Sequence, residues 1–128
     1  MEKKFTTKSN EDYLEAIYLF ELANNGEPMK STILATEFKV SKAAITKATN
    51  ELKEKLLIEK SDYGRILLTN EGRNVAKNIL HKHRVIMEFL ISIGVDELTA
   101  TSECCLIEHV VSDSTIEKIE KELLKKGK

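Results

Sequence analysis

The sequence predicts a mainly α-helical chain with one hairpin-like interruption near its middle. Three observations carry this. Apolar residues recur at helical spacing through most of the 128 residues, Ser and Asp residues stand where helices would be capped, and only "LIEKSDYGRILLT" breaks the pattern. In that stretch two short apolar runs, 56 to 58 and 66 to 68, flank Asp62-Tyr63-Gly64, the composition of a hairpin with a glycine-containing turn.

Ser9-x-x-Asp12 reads as a capping box that opens a first helix. Tyr13, Leu14, Ile17, Phe20 and Leu22 form its apolar side, and "NNGEP" ends it. A short second helix is expected from about Thr32 to Phe38. Ser41 is expected to cap a third, in which Ile45, Ala48, Leu52 and Leu56 repeat at helical spacing. After the hairpin come a long helix from about Glu71 to Ser92, a fifth from about Asp96 to Val111, and a sixth from about Ser114 to the Lys-rich end. The chain contains no internal repeat and no low-complexity segment.

Size and composition narrow the function classes. A chain of 128 residues with 41% hydrophobic residues builds a core but has little surplus area to bury, so dimerisation would stabilise it. It contains no apolar run of eighteen residues, and "MEKKFTTKSNED" is too polar for a signal peptide. A cytoplasmic protein is expected. Adjacent cysteines on a helix do not readily close a disulfide and the cytosol would reduce one, which favours thiol or thiolate chemistry at Cys104 and Cys105. The net charge of −1 argues against nucleic acid, yet residues 41 to 95 carry ten Lys/Arg against six Asp/Glu while both flanks are acidic.

Helix, short helix, helix and hairpin in succession is the order of a winged helix-turn-helix, whose third helix lies in the DNA major groove while the wing reaches neighbouring phosphates. The start of "SKAAITKATN" is small and polar, so Ser41 and Ala43 allow close approach to base edges. Lys42, Thr46, Lys47 and Asn50 offer donors from the helix, and Lys60 and Arg65 from the wing. The plainer alternative is a solvated lysine-bearing face on an ordinary helical domain.

The stretch "ECCLIEH" holds both cysteines beside one of three histidines. On a helix Cys105, Glu108 and His109 stand at i, i+3 and i+4, on one face, whereas Cys104 aligns with Ile107 and Val111 and reads as packing. In the fourth helix Val75, Ile79, Ile86, Met87 and Leu90 define a buried stripe on which His83 falls, with His81 pointing away. Asp12 and Glu15 make a third cluster, a carboxylate pair at i, i+3. Each cluster has an ordinary explanation: a partly buried cysteine beside surface polar groups, a satisfied core histidine, a capping aspartate. Together their oxygen, nitrogen and sulfur donors suit a divalent transition ion.

The combination resembles the diphtheria-toxin-repressor family of metal-dependent regulators, and in length and layout its short branch, the manganese transport regulators. The resemblance spans about Asn10 to Leu123 and rests on "EDYLEAIY", "VSKAAITKATNELKEKLLI", "GRILLTNEG", "KHRVIMEFL" followed by "IGVDE", and "ECCLIEHVVSDS". It implies a winged helix-turn-helix DNA-binding domain over 1–70, a helical dimerisation and metal-binding domain over 71–128, a homodimer on double-stranded operator DNA, and no SH3-like domain. Carried over position by position, the family's metal ligands fall on Asp12, Glu15, His83, Cys105, Glu108 and His109. The set is a hybrid. The manganese branch has a carboxylate at the place of Cys105; the iron branch has cysteine there but methionine at the place of Asp12. Iron-branch members also use a glutamate four residues after the shared histidine, where this chain has Met87.

Thiolate at Cys105 favours Fe(II), Co(II) or Zn(II), and the carboxylates of Asp12 and Glu15 favour Mn(II). The expectation is Fe(II) or Mn(II) as corepressor, Fe(II) preferred, with Co(II) or Zn(II) substituting in vitro. An ion held by ligands from both domains would fix the spacing of two recognition helices in a dimer. Two alternatives belong to other classes. A zinc hydrolase lacks an HExxH motif and a Gly-rich catalytic loop here. A metal-independent winged-helix dimer would respond to another effector and bind no stoichiometric metal.

Overall fold

Local capping and packing signals set most of the element boundaries. The computed structural model describes residues 7 to 127, so residues 1 to 6 of the polar N-terminal stretch and the last lysine of the C-terminal run lie outside it. Its elements are helix α1 (Lys8–Ala23), strand β1 (Met29–Lys30), α2 (Ser31–Phe38), α3 (Lys42–Glu54), β2 (Ile58–Lys60), a 3-10 turn (Asp62–Gly64), β3 (Arg65–Leu68), α4 (Asn70–Ser92), α5 (Glu97–Ile107) and α6 (Asp113–Gly127). The expected mainly helical class with a winged N-terminal unit is observed. No described helix is long and apolar enough to cross a membrane.

Helix α1 starts earlier than the Ser9 capping box implied. The Thr7 side chain accepts the N–H of Asn10 at 3.1 Å, so Thr7 is the cap and Asp12 falls inside the helix, where it accepts from Lys8 Nζ at 2.8 Å. Tyr13, Leu14 and Ile17 are buried as expected, whereas Leu22 is 61% exposed. Leu22 lies five residues beyond Ile17, about 140° around the helix and off the buried face.

Ser41 caps α3 as expected, accepting from the Ala44 N–H at 3.0 Å. Ile45, Ala48 and Leu52 are buried, but Leu56 does not continue the row. The helix ends at Glu54, and Leu56 takes a left-handed conformation (φ 62°) and is 69% exposed. This turn presents two carbonyls to Thr69: the Thr69 hydroxyl donates to Leu56 O at 2.7 Å and the Thr69 N–H to Leu57 O at 3.1 Å.

The hairpin is present with Ile58 opposite Leu68 and Lys60 opposite Ile66. Its turn carries two successive left-handed residues, Tyr63 (φ 69°) and Gly64 (φ 72°), and Tyr63 is 94% exposed. A third strand was not expected. Met29 and Lys30 pair antiparallel with Ile66 and Arg65, giving the order β1-β3-β2. Two residues carry no readable alternation, so only the partner strand reveals β1.

The chain divides into two compact units between Lys77 and Asn78, inside α4. The core of the first gathers Leu14, Ile17, Met29, Leu34, Ile45, Leu52, Leu57 and Ile66, and its rim includes an edge-on contact between Tyr13 and Phe38. The core of the second is Val85, Ile86, Cys104 and Ile116, flanked by Met87, Leu90, Ile107, Val111 and Ile119.

Candidate nucleic-acid interface and metal centre

Because Ile45, Ala48, Thr49 and Leu52 anchor one side of α3, its opposite side is solvent-facing. That side forms an open groove lined by Lys42, Ala43, Thr46, Lys47, Asn50, Glu51 and Glu54. The nucleic-acid candidates Ser41, Lys42, Ala43, Thr46, Lys47, Asn50 and Arg65 are all exposed, and Lys60 is half-buried. Lys60 Nζ donates to Asn50 Oδ1 at 3.1 Å, so wing and helix are joined within the surface. Lys42 and Lys47 stand on the first turns of α3, and Glu51, Lys53 and Glu54 share its last turn, which is mixed in charge. Tyr63, at the tip of the turn, extends the exposed surface of the wing, a position the sequence marked only as part of a turn.

In the second unit α4 and the end of α5 bring His83, Cys104, Cys105, Glu108 and His109 together. Helix α5 stops at Ile107, short of the expected Val111; Glu108 caps it with helical angles and His109 lies in a tighter turn, its N–H bonding to Leu106 O at 3.4 Å. The helical spacing from Cys105 therefore persists through Glu108, but the three residues differ in burial. Cys105 is exposed, while the Glu108 and His109 side chains retain 2% and 4% of their accessible surface.

Glu108 is the centre of this group. His83 Nδ1 lies 2.7 Å from Glu108 Oε1, and His109 Nε2 lies 3.3 Å from Glu108 Oε2, so one buried carboxylate holds two imidazoles. A carboxylate on Nδ1 orients the ring and leaves Nε2 as the lone-pair donor, the arrangement common behind metal-bound histidine. Oxygen, nitrogen and sulfur donors that run from the buried Glu108 to the exposed Cys105 fit a divalent transition ion. His81, two residues earlier, pairs instead with Glu120 of α6 at 3.3 Å.

Two features of this region were not anticipated. Cys104 is completely buried, as packing requires, yet its sulfur is also 3.5 Å from His83 Nδ1. Lys82, between the two histidines, is buried too, its Nζ donating to Val111 O at 2.6 Å with Asp113 Oδ1 at 3.4 Å. The ammonium is accommodated there because the connection between α5 and α6 supplies a carbonyl. The remaining candidates, Asp12 and Glu15, sit half-buried on α1 in the first unit.

Comparison with known proteins also divides the chain in two, just before α4. Residues 5–66 match the family model for the iron dependent repressor N-terminal DNA binding domain, and residues 69–126 that for the iron dependent repressor metal binding and dimerisation domain. An HTH-type transcriptional regulator of Methanocaldococcus jannaschii is 40% identical over 114 residues, 88% of this chain and 90% of that protein. The HTH-type transcriptional regulator MntR of Bacillus subtilis is 34% identical over 116 residues, 89% of this chain and 79% of its own length. The solved structure of the manganese regulator SloR superposes with a TM-score of 0.76 at 31% identity, over 92% of this chain and 54% of that one. With both domain models matched in order and relatives above 30% identity spanning most of the chain, this protein belongs to the iron-dependent repressor family of metal-dependent, DNA-binding transcriptional regulators.

Proposed function

We propose that the protein represses iron- or manganese-uptake genes as a homodimer on operator DNA, with Fe(II) or Mn(II) as corepressor and Fe(II) preferred. The observation that carries the proposal is the buried Glu108 carboxylate with His83 and His109 on its two oxygens, in a chain that also exposes a capped, lysine-bearing α3. The ligand set is Asp12, Glu15, His83, Cys105, Glu108 and His109. Their carboxylates, imidazoles and thiolate would hold the ion, which would supply a fixed positive charge between them. His83 is oriented for this by Glu108, and the exposed Cys105 is open to solvent. The preference for iron rests on the sulfur of Cys105, a donor softer than manganese favours.

Residues 1–70 act as the DNA-binding domain and 71–128 as the dimerisation and metal-binding domain. Dimerisation is supported by apolar side chains that the second unit leaves in solvent, among them Leu98 (84% exposed) and Val110 (80%). The DNA contacts are Ser41, Lys42, Ala43, Thr46, Lys47, Asn50, Lys60 and Arg65. The protein works in the cytoplasm and catalyses no reaction.

Anaerobic operator binding, followed by fluorescence anisotropy across Mn(II), Fe(II), Co(II) and Zn(II), tests the proposal. Binding should strengthen on metal addition, and Cys105→Glu should raise the Mn(II) response relative to Fe(II). Operator affinity indifferent to every ion, with no stoichiometric metal retained in equilibrium dialysis, would leave a metal-independent winged-helix regulator.

A further inference from the structure

Soft donors gather around Cys104 more closely than the six-residue ligand set requires. Its Sγ lies 3.5 Å from His83 Nδ1, 3.8 Å from His83 Nε2 and 3.9 Å from Met87 Sδ. One donor atom each from His83, Cys104 and Cys105 falls within a 4.8 Å group. In a tetrahedral site, bonds of about 2.3 Å to sulfur and about 2.0–2.1 Å to nitrogen hold neighbouring donors about 3.6–3.8 Å apart. The 3.8 Å between the Cys104 sulfur and His83 Nε2 is already near that value.

We propose that His83, Cys104 and Cys105, with Met87 as a thioether neighbour, form a site for a thiophilic closed-shell divalent cation of the Cd(II) or Zn(II) type. The two thiolates and the thioether are soft, and hard, oxygen-seeking Mn(II) has little affinity for such a set. Glu108 Oε1 occupies Nδ1 of His83 and leaves Nε2, the nitrogen 3.8 Å from the Cys104 sulfur, to take the ion. Cys105 is exposed and Cys104 wholly buried, so the pair offers an entry point and a dry inner ligand. On binding, two S–H bonds break, two sulfur–metal bonds form and two protons leave to solvent. The site shares His83 and Cys105 with the set proposed above but stands on the helical unit alone. A thiophilic ion would thus compete with the corepressor for two of its ligands. The plainer alternative, Cys104 as a small apolar residue beside Val85, Ile86 and Ile116, predicts a single thiolate ligand.

The probe is Cd(II) added to the full-length, reduced protein. A proton–cadmium-113 correlation spectrum should couple the β-protons of both cysteines to one cadmium. The near-ultraviolet thiolate-to-cadmium band should halve in Cys104→Ser and in Cys105→Ser and vanish in the double variant. His83→Ala should keep the band while lowering Cd(II) affinity by about tenfold or more. Coupling from Cys105 alone would overturn the proposal, and because that spectrum needs no substitution it holds even if Cys104→Ser unfolds the core. Both cysteines coupled, in a protein whose operator binding ignores every metal, would uphold this site and remove the corepressor function. Cys105 coupled alone, with metal-dependent operator binding intact, would do the reverse.

Discussion

Lys60 Nζ donates to Asn50 Oδ1 at 3.1 Å, which ties the second strand to the exposed side of α3. The bond holds a lysine charge beside the Asn50 carboxamide. Cations on this surface should act through phosphate neutralisation. Lys47→Ala and Arg65→Ala should each weaken operator binding and lower the slope of log affinity against log salt by about one. Asn50→Ala should instead reduce discrimination between operator and mismatched DNA. Anisotropy titrations at several salt concentrations check both; an unchanged slope in the Lys47 and Arg65 variants would remove this face from the interface.

The two histidines of α4 have different partners. His83 is bonded to the buried Glu108, and His81 to the half-buried Glu120. His83→Ala should abolish metal-stimulated DNA binding while circular dichroism remains helical, and His81→Ala should do little. Equal losses would indicate a general effect on folding.

Gly72 stands where no side chain fits. A Cβ there would lie 1.9 Å from the carbonyl oxygen of Leu57, a backbone atom fixed by its bond from the Thr69 N–H. Gly72→Ala should destabilise the first unit by about 3 kcal/mol, the upper range for overpacking. Urea unfolding checks it, and a loss below about 0.5 kcal/mol would mean the start of α4 shifts freely.

Arg73 grips Glu21 with Nη2 at 3.0 and 3.1 Å from the two carboxylate oxygens and Nε at 3.3 Å. The Glu21 side chain is 9% exposed and that of Arg73 33%, so the pair is partly screened. Arg73→Ala should cost about 2 kcal/mol, below the fully buried case, because it strands the carboxylate. Restoration of stability in the Arg73→Ala, Glu21→Leu double variant would identify that stranded charge as the cause.

Asp96 caps α5, and the hydrogen bond from the Thr99 N–H, helped by the Thr99 hydroxyl, holds its carboxyl below the ordinary aspartate value of 3.8. A carboxyl with a depressed folded-state pKa adds stability above its unfolded value, and that stability disappears as pH falls through the lower folded value. Acid unfolding of the helical unit should therefore become less steep below pH 3.8 in Asp96→Asn, which keeps a capping oxygen without the charge. Identical acid transitions in the two proteins would show that the charge contributes nothing.

The order of helices, the Ser41 cap, the hairpin and the donor-rich stretch "ECCLIEH" were legible in the sequence because each depends on neighbours within a few residues. Helical spacing also separates the surfaces of α3, since its buried row is continuous. Tertiary structure decided which side chains meet. Periodicity gives an angle about one helix axis and says nothing of the element opposite. Glu108 and Cys104 reach His83 across 25 and 21 residues of chain, and Lys82 becomes buried only because Val111 O is there to receive it. Met29 and Lys30 become a strand only through Ile66 and Arg65. Cys104, which helical spacing assigns to packing, is therefore both packed and 3.5 Å from a histidine nitrogen, because a fully buried side chain contacts every element around it.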